Sequence, residues 1–186
     1  MKPSTKIKVF NFLLFQIGWF SCVLGAANAL PWLGVAVVAI TSTIHLTFFR
    51  RGWQEAVLLV SALLVGIICD LAVIFTGHLG FPDYALLAEP LPIWMPMMWV
   101  NFAMTLHLSM GWLKGRYLLA AALGVIGGPT AYWPGERFGA VLLADPLWES
   151  LLVIAIEWAI AMPILLWLAA KFDVGQTVPL QEGDVS

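Results

Sequence analysis

Charged residues are scarce in this chain of 186 residues: Asp, Glu, Lys and Arg together make up 11% of it. Soluble domains carry about 25% charged residues, so an ordinary soluble globular protein is excluded. The net charge of −2 and the lack of a long basic patch also exclude a nucleic-acid binder. Apolar residues are abundant instead, at 61% with a mean hydropathy of +0.92. This composition indicates a helical membrane protein that crosses the bilayer several times.

Several catalytic and cofactor signatures are missing. The sequence contains no G-x-S-x-G, no H-E-x-x-H, no phosphate-binding loop and no dinucleotide fingerprint. The two cysteines, Cys22 and Cys69, stand apart and form no C-x-x-C motif. We therefore expect no cofactor and no metal. An enzyme embedded in the membrane stays open as an alternative, but no group of catalytic residues indicates one.

Six apolar stretches come close to the roughly 20 residues of helix that cross a bilayer core of about 30 Å. We predict an all-α bundle of six transmembrane helices near residues 7–27, 32–49, 55–76, 94–113, 117–132 and 148–170. They form one domain, residues 1–171. The polar tail, residues 172–186, is predicted to be disordered. The fifth stretch is the shortest and contains Pro129.

The distribution of basic residues predicts the orientation of these helices. Cytoplasmic loops are enriched in Lys and Arg. With six spans, eight of the nine basic residues fall on one side: Lys2, Lys6, Lys8, Arg50, Arg51, Lys114, Arg116 and Lys171. The opposite side carries the loop acids Asp83, Glu89, Glu136, Asp145 and Glu149, together with Arg137. Both termini are therefore predicted to be cytoplasmic.

Polar residues in the outer halves of three spans form the first candidate site. Asp70, Asn101 and Glu157 lie about 9–14 Å from the outer ends of their helices, at 1.5 Å per residue. A buried charge is costly, so the acids are protonated, face a polar cavity, or are covered by Arg137 from the outer loop. The competing interpretation is that neutral acids hydrogen-bond neighbouring helices.

Two histidines form a second candidate level in the inner half. His45 and His107 each lie about 20 Å from the outer end of their span. Two histidines at equal depth could relay protons or bind a metal, but no third ligand at a suitable spacing supports a metal. Neutral imidazoles that hydrogen-bond neighbouring helices are the alternative.

Small residues in the fifth span predict close helix packing. Ala120, Gly124 and Gly128 share one face at a spacing of four, which lets another helix approach. Pro129 removes a backbone donor and frees the carbonyl of Val125. Irregular backbone of this kind can line a cavity inside the protein. Ordinary helix packing is the competing interpretation.

Four segments of the sequence resemble one known family. They are residues 11–19 (NFLLFQIGW), 94–106 (WMPMMWVNFAMTL), 128–140 (GPTAYWPGERFGA) and 157–158 (EW). In order and spacing they resemble the bacterial inner-membrane family catalogued as domain of unknown function 2878. Members of that family are often encoded beside methyltransferases similar to cyclopropane-fatty-acid synthase. The resemblance thus implies the inner membrane of a bacterium and an association with lipid modification.

Three functions are compatible with these observations. The first is an accessory or scaffold component linked to the modification of membrane fatty acids, with the bilayer and lipid-modifying enzymes as its partners. The second is a small transporter or lipid-handling protein with a polar site inside the membrane. The third is an intramembrane enzyme that acts on acyl chains.

Overall fold

A computed structural model describes residues 4–48, 52–82 and 90–173, and these fold into a bundle of helices. Within the described residues, six α-helices are joined by short connections that include one pair of two-residue strands. In chain order the elements are α1 (Thr5–Ala27), α2 (Pro31–Phe48), α3 (Trp53–Phe75), β1 (Leu79–Gly80), α4 (Trp94–Ala103), α5 (Tyr117–Phe138), β2 (Leu142–Leu143) and α6 (Leu147–Lys171).

Four of these helices, α1, α2, α3 and α6, are long and apolar enough to cross a membrane. They contain 23, 18, 23 and 25 residues, and their bounds lie within about two residues of the predicted spans. At 1.5 Å per residue, even the shortest of them is about 27 Å long. The all-α prediction is confirmed, and the helices are of the membrane-spanning kind.

The first two helices form an antiparallel hairpin. Asn28 ends α1 by donating its side-chain amide to the carbonyl of Leu24, and Pro31 begins α2. The two backbones approach closely at Gly34, where a Cβ atom would lie 2.5 Å from Cys22 Cα. Any larger residue at this position would push the hairpin apart.

The fourth span is not the continuous helix predicted for residues 94–113. Helix α4 ends at Ala103 after ten residues. Residues 104–110 follow as a series of turns, and Gly111–Leu113 form a single 3-10 turn. The break is buried, because Met104, Leu106 and Leu108 are each at most 3% exposed. Irregular backbone at membrane depth is tolerated where protein surrounds it, as it does here.

Asn11 of α1 supplies the reason why α4 can end inside the bundle. Its side-chain amide donates to the carbonyl of Met104, at 3.0 Å. Its Oδ1 atom accepts from the backbone N–H of Ser109, at 3.4 Å, and from the Ser109 hydroxyl. These bonds satisfy backbone groups that a continuous helix would have paired internally. A distant residue therefore overrides the helical preference of the segment.

Helix α5 is longer than the predicted residues 117–132 and continues to Phe138. It passes through Pro129 and Pro134 without ending, and it ends at Gly139, whose φ of +82° is left-handed. Each proline removes one backbone donor, a loss that membrane helices tolerate when other groups compensate. The Thr130 hydroxyl adds a local bond by donating to the carbonyl of Ile126, at 2.9 Å.

Two short strands, which were not predicted, join the connection after α3 to the connection after α5. β1 and β2 pair antiparallel, with Leu79 opposite Leu143 and Gly80 opposite Leu142. The side chains of Leu79, Phe81 and Val141 are buried beneath this pair. Their pairing therefore holds these two connections together at one end of the bundle.

Several predictions fall on positions outside the described residues. Lys2, Arg50 and Arg51 of the predicted cytoplasmic side are among these positions, as are Asp83 and Glu89 of the predicted outer side. Of the predicted disordered tail, Phe172 and Asp173 are described and residues 174–186 are not.

Candidate functional site

The two histidines of the inner level are brought together by Glu55. The Nε2 atom of His45 lies 2.8 Å from Glu55 Oε1, and the Nδ1 atom of His107 lies 2.7 Å from Glu55 Oε2. All three residues are buried, and Glu55 lies in the first turn of α3. We call these residues the His–Glu–His cluster. It joins α2, α3 and the irregular segment that follows α4.

The bonds of His107 determine where its protons lie. Its Nε2 atom lies 2.7 Å from the backbone carbonyl of Ala169 in α6. A carbonyl can only accept, so Nε2 carries a hydrogen. The contact between Nδ1 and Glu55 then needs one more proton, held by the imidazole or by the carboxyl. Both ring nitrogens of His107 are therefore used for holding helices together.

The cluster does not have the form of a metal centre. Among the described residues, no group of three or more His, Cys, Asp or Glu side chains is arranged to hold a metal ion. The sequence placed His45 and His107 at one depth but missed Glu55, because the predicted third span began at that residue. The available signal was weaker than an equal depth: Glu55 is an acid at the inner end of its span, and both histidines lie in the inner halves of theirs.

At the outer level, Asp70 of α3 is fully buried and accepts two hydrogen bonds. Trp99 Nε1 of α4 donates to Oδ2 at 2.8 Å, and the Tyr132 hydroxyl of α5 donates to Oδ1 at 2.9 Å. Gly66, one turn before Asp70, makes room for the indole, since a Cβ there would lie 2.1 Å from Trp99 Cγ. Trp99 and Tyr132 were not predicted as partners of this acid.

Glu157 of α6 lies near this centre without a hydrogen bond of its own. Its side chain is buried, and neither carboxyl oxygen has a hydrogen-bond partner in the described part of the chain. The next residue, Trp158, stacks on Trp99, which donates to Asp70, and α3 packs against α6. The structure thus brings Asp70 and Glu157 together in one apolar layer, which we call the acid pair.

The other two members of the predicted outer site lie elsewhere. Asn101 packs against α1, where its amide donates to the carbonyl of Phe15 at 2.9 Å. Arg137 is largely exposed; its guanidinium lies over the Trp133 ring and 3.8 Å from a Glu136 carboxyl oxygen. The interpretation in which Arg137 covers the acids therefore does not hold in the structure.

The small face of α5 packs on α6 at Trp158. A Cβ on Gly124 would lie 2.2 Å from the Trp158 carbonyl oxygen, and one on Gly128 would lie 2.5 Å from Trp158 Cδ1. The Trp158 indole stacks on Trp99, with ring centroids 4.8 Å apart. The two glycines thus allow an aromatic stack to form beside the acid pair.

An apolar groove lies between α1 and α5, beside Trp158. Its main part has a volume of about 340 Å³. A smaller part of about 60 Å³ adjoins it, and both are lined by Phe15, Trp19, Phe102, Ala131 and Trp158. Tyr132 lines the smaller part while its hydroxyl bonds Asp70. One layer of aromatic side chains therefore divides the groove from the acid pair.

The long apolar helices indicate a helical membrane protein, whose interior holds polar groups at two levels. A comparison with protein families then gives its family. The model described as "Protein of unknown function (DUF2878)" matches residues 8–164, so the chain belongs to this family and the predicted resemblance is confirmed. No curated protein and no solved structure matches the chain significantly.

Proposed function

We propose that this protein handles membrane lipids by holding an acyl chain in the groove between α1 and α5. The observation that carries the proposal is the groove itself, which has a volume of about 340 Å³ and is lined mainly by aromatic, methionine and small residues. Gln16 and Thr130 are the polar residues of its lining, and no charged residue belongs to it. Small-molecule sites have this apolar lining with few polar groups.

The surroundings of the groove favour an acyl chain over a soluble ligand. Large apolar side chains are exposed on both rims: Phe12 and Phe20 on α1, and Ile126 on α5. In a membrane such faces meet lipid, so the groove would open sideways into the bilayer. An acyl chain is the apolar ligand that is most abundant there.

The proposal includes a topology of six spans in the inner membrane of a bacterium, with both termini in the cytoplasm. Helix α5 has 22 residues and would be about 33 Å long, enough to cross the membrane core. The broken fourth span would cross as α4 together with residues 104–113. The orientation rests on the distribution of Lys and Arg.

The groove favours lipid handling over the two other predicted functions. A role as an accessory or scaffold beside lipid-modifying enzymes rests on the family resemblance and needs no groove. An acyl-chain enzyme would need a reactive group on the groove. The His–Glu–His cluster does not line it, and both nitrogens of His107 are held by other bonds.

Gly127 allows a direct test, because it lines the groove and a Cβ there would meet nothing within 4 Å. Gly127→Phe should fill the groove without moving a helix and should reduce the phospholipid retained after detergent exchange severalfold. Native mass spectrometry measures the retained lipid. Leu118→Phe is the matched control, since it adds a ring to the exposed surface of the same helix at a position that does not line the groove. Equal lipid retention in both variants, at unchanged melting temperatures, would contradict the proposal.

A further inference from the structure

The acid pair places two carboxyl groups in the interior of the bundle, and the lipid groove does not explain how their charges are tolerated there. Asp70 is fully buried and Glu157 is 8% exposed, and neither forms an ion pair in the described part of the chain. Two unpaired negative charges in a low-dielectric interior would each cost several kcal/mol and would also repel each other. The pair therefore needs a positive charge.

The hydrogen bonds around the two carboxyls are unequal. Asp70 accepts one bond at each oxygen, from Trp99 and from Tyr132. Such donors stabilise an ionised carboxylate. Glu157 receives no bond at either oxygen, although it is more than nine-tenths buried. Buried polar atoms without a partner are rare, and a bound cation is one arrangement that would satisfy them.

From this arrangement we propose that Asp70 and Glu157 form a binding site for one monovalent cation, a proton or a sodium ion. The cation is held at Glu157 and leaves the pair with a single negative charge on Asp70. The Trp99 indole and the Tyr132 hydroxyl stabilise that remaining charge. Acids at such a depth are a recurrent means of binding ions and protons inside membrane proteins.

The groups that face the pair contribute no competing positive charge. Cys69 precedes Asp70 on α3, and a thiol carries no positive charge in either of its protonation states. From α5 the facing titratable group is Tyr132, which donates its hydroxyl hydrogen to Asp70. From α4 it is the indole of Trp99, which does not titrate. Asp70 and Glu157 are therefore the groups expected to exchange the cation.

The proposal is tested on the full-length protein in detergent, with Glu157→Gln as the main variant. Gln keeps the shape of the side chain but cannot hold a proton or a cation charge. Glu149→Gln is the matched control, because it makes the same change on α6 in the first turn, away from the pair. The melting temperature is measured from pH 5 to pH 9 in sodium chloride and in choline chloride.

In the proton case, the wild-type melting temperature should fall by at least about 3 °C over this pH range, because the native state must keep a proton that the unfolded chain has released. Glu157→Gln should reduce the fall, whereas Glu149→Gln should retain it in full. The infrared carbonyl band of a protonated carboxylic acid should be weaker in Glu157→Gln alone. Asp70→Asn should shift the frequency of that band.

In the sodium case, sodium chloride but not choline chloride should raise the wild-type melting temperature at pH 9, and purified protein should bind radioactive sodium. Both effects should be lost in Glu157→Gln. Two results would overturn the proposal: the same pH and sodium dependence in wild type and Glu157→Gln, or a wild-type protein with neither a protonated-acid band nor bound sodium. Neither measurement depends on the lipid groove, so the two proposals fail separately.

Discussion

A single carboxyl group, that of Glu55, holds three segments of the inner half of the bundle together. Its two oxygens lie 2.8 Å from His45 Nε2 and 2.7 Å from His107 Nδ1. The other ring nitrogen of His107, Nε2, donates to the backbone carbonyl of Ala169. Because every link is buried, removal of the carboxyl takes a hydrogen-bond partner from each imidazole at a place with little access to water. The cluster therefore matters for stability whichever atom holds the shared proton.

Replacement of Glu55 by Ala should lower the free energy of unfolding by about 2–4 kcal/mol, since two buried imidazoles each lose a partner. Glu55→Gln should cost much less. Its carbonyl can accept from His45 and its amide can donate to a neutral His107, so both contacts survive. Denaturant unfolding in detergent measures the difference. Equal losses in the two variants would mean that the cluster needs a charge on Glu55 and not only its hydrogen bonds.

At the scale of elements, the packing of α5 on α6 depends on backbone contact. Gly124 and Gly128 face Trp158, and Gly127 on the neighbouring face meets open space. A methyl group at either of the first two positions must displace the Trp158 backbone or its indole. The indole in turn stacks on Trp99, the donor to Asp70. The small face of α5 therefore positions the aromatic layer between the groove and the acid pair.

Gly124→Ala should lower the free energy of unfolding by about 1–3 kcal/mol, because a Cβ at 2.2 Å from a backbone oxygen forces the helices apart. Gly127→Ala should leave stability unchanged or raise it slightly, since it adds the same methyl group to the same helix without a clash. Thermal unfolding of both variants in one detergent gives the comparison. A Gly124→Ala variant as stable as wild type would show that α5 and α6 separate at little cost.

Across the whole molecule, the described helices form a bundle whose two ends differ in character. Most of the described basic residues of the loops and helix ends, among them Lys114 and Lys171, lie at the end that also holds the His–Glu–His cluster, whereas Arg137 lies in the last turn of α5 at the other end. The strand pair β1–β2 lies at the other end. This asymmetry is the basis for the proposed orientation.

Reporter fusions after Gly77, after Gly115 and at the C-terminus test that orientation. Both glycines lie in connections with open space around them, so a fusion there should not disturb packing. Activity of a cytoplasmic reporter is expected at Gly115 and at the C-terminus, and activity of a periplasmic reporter at Gly77. A periplasmic C-terminus would contradict the six-span topology.

Local sequence determined the membrane class, the positions of most helices and the depth of the polar side chains. Hydrophobic runs define α1, α2, α3 and α6 to within about two residues, because a helix must satisfy its own backbone in lipid. Depth along a helix is a count of residues, and this count predicted similar levels for Asp70 and Glu157. The same count placed His45 level with His107.

The tertiary structure alone decided which of these residues meet. The break after Ala103 depends on Asn11, which is distant in sequence, and no local pattern reports such a bond. The partners of Asp70 come from α4 and α5, and Glu55 joins two histidines from separate segments. Rotation of each helix about its axis sets these contacts. That rotation follows from close packing at glycines such as Gly66 and Gly128, which only the assembled bundle determines.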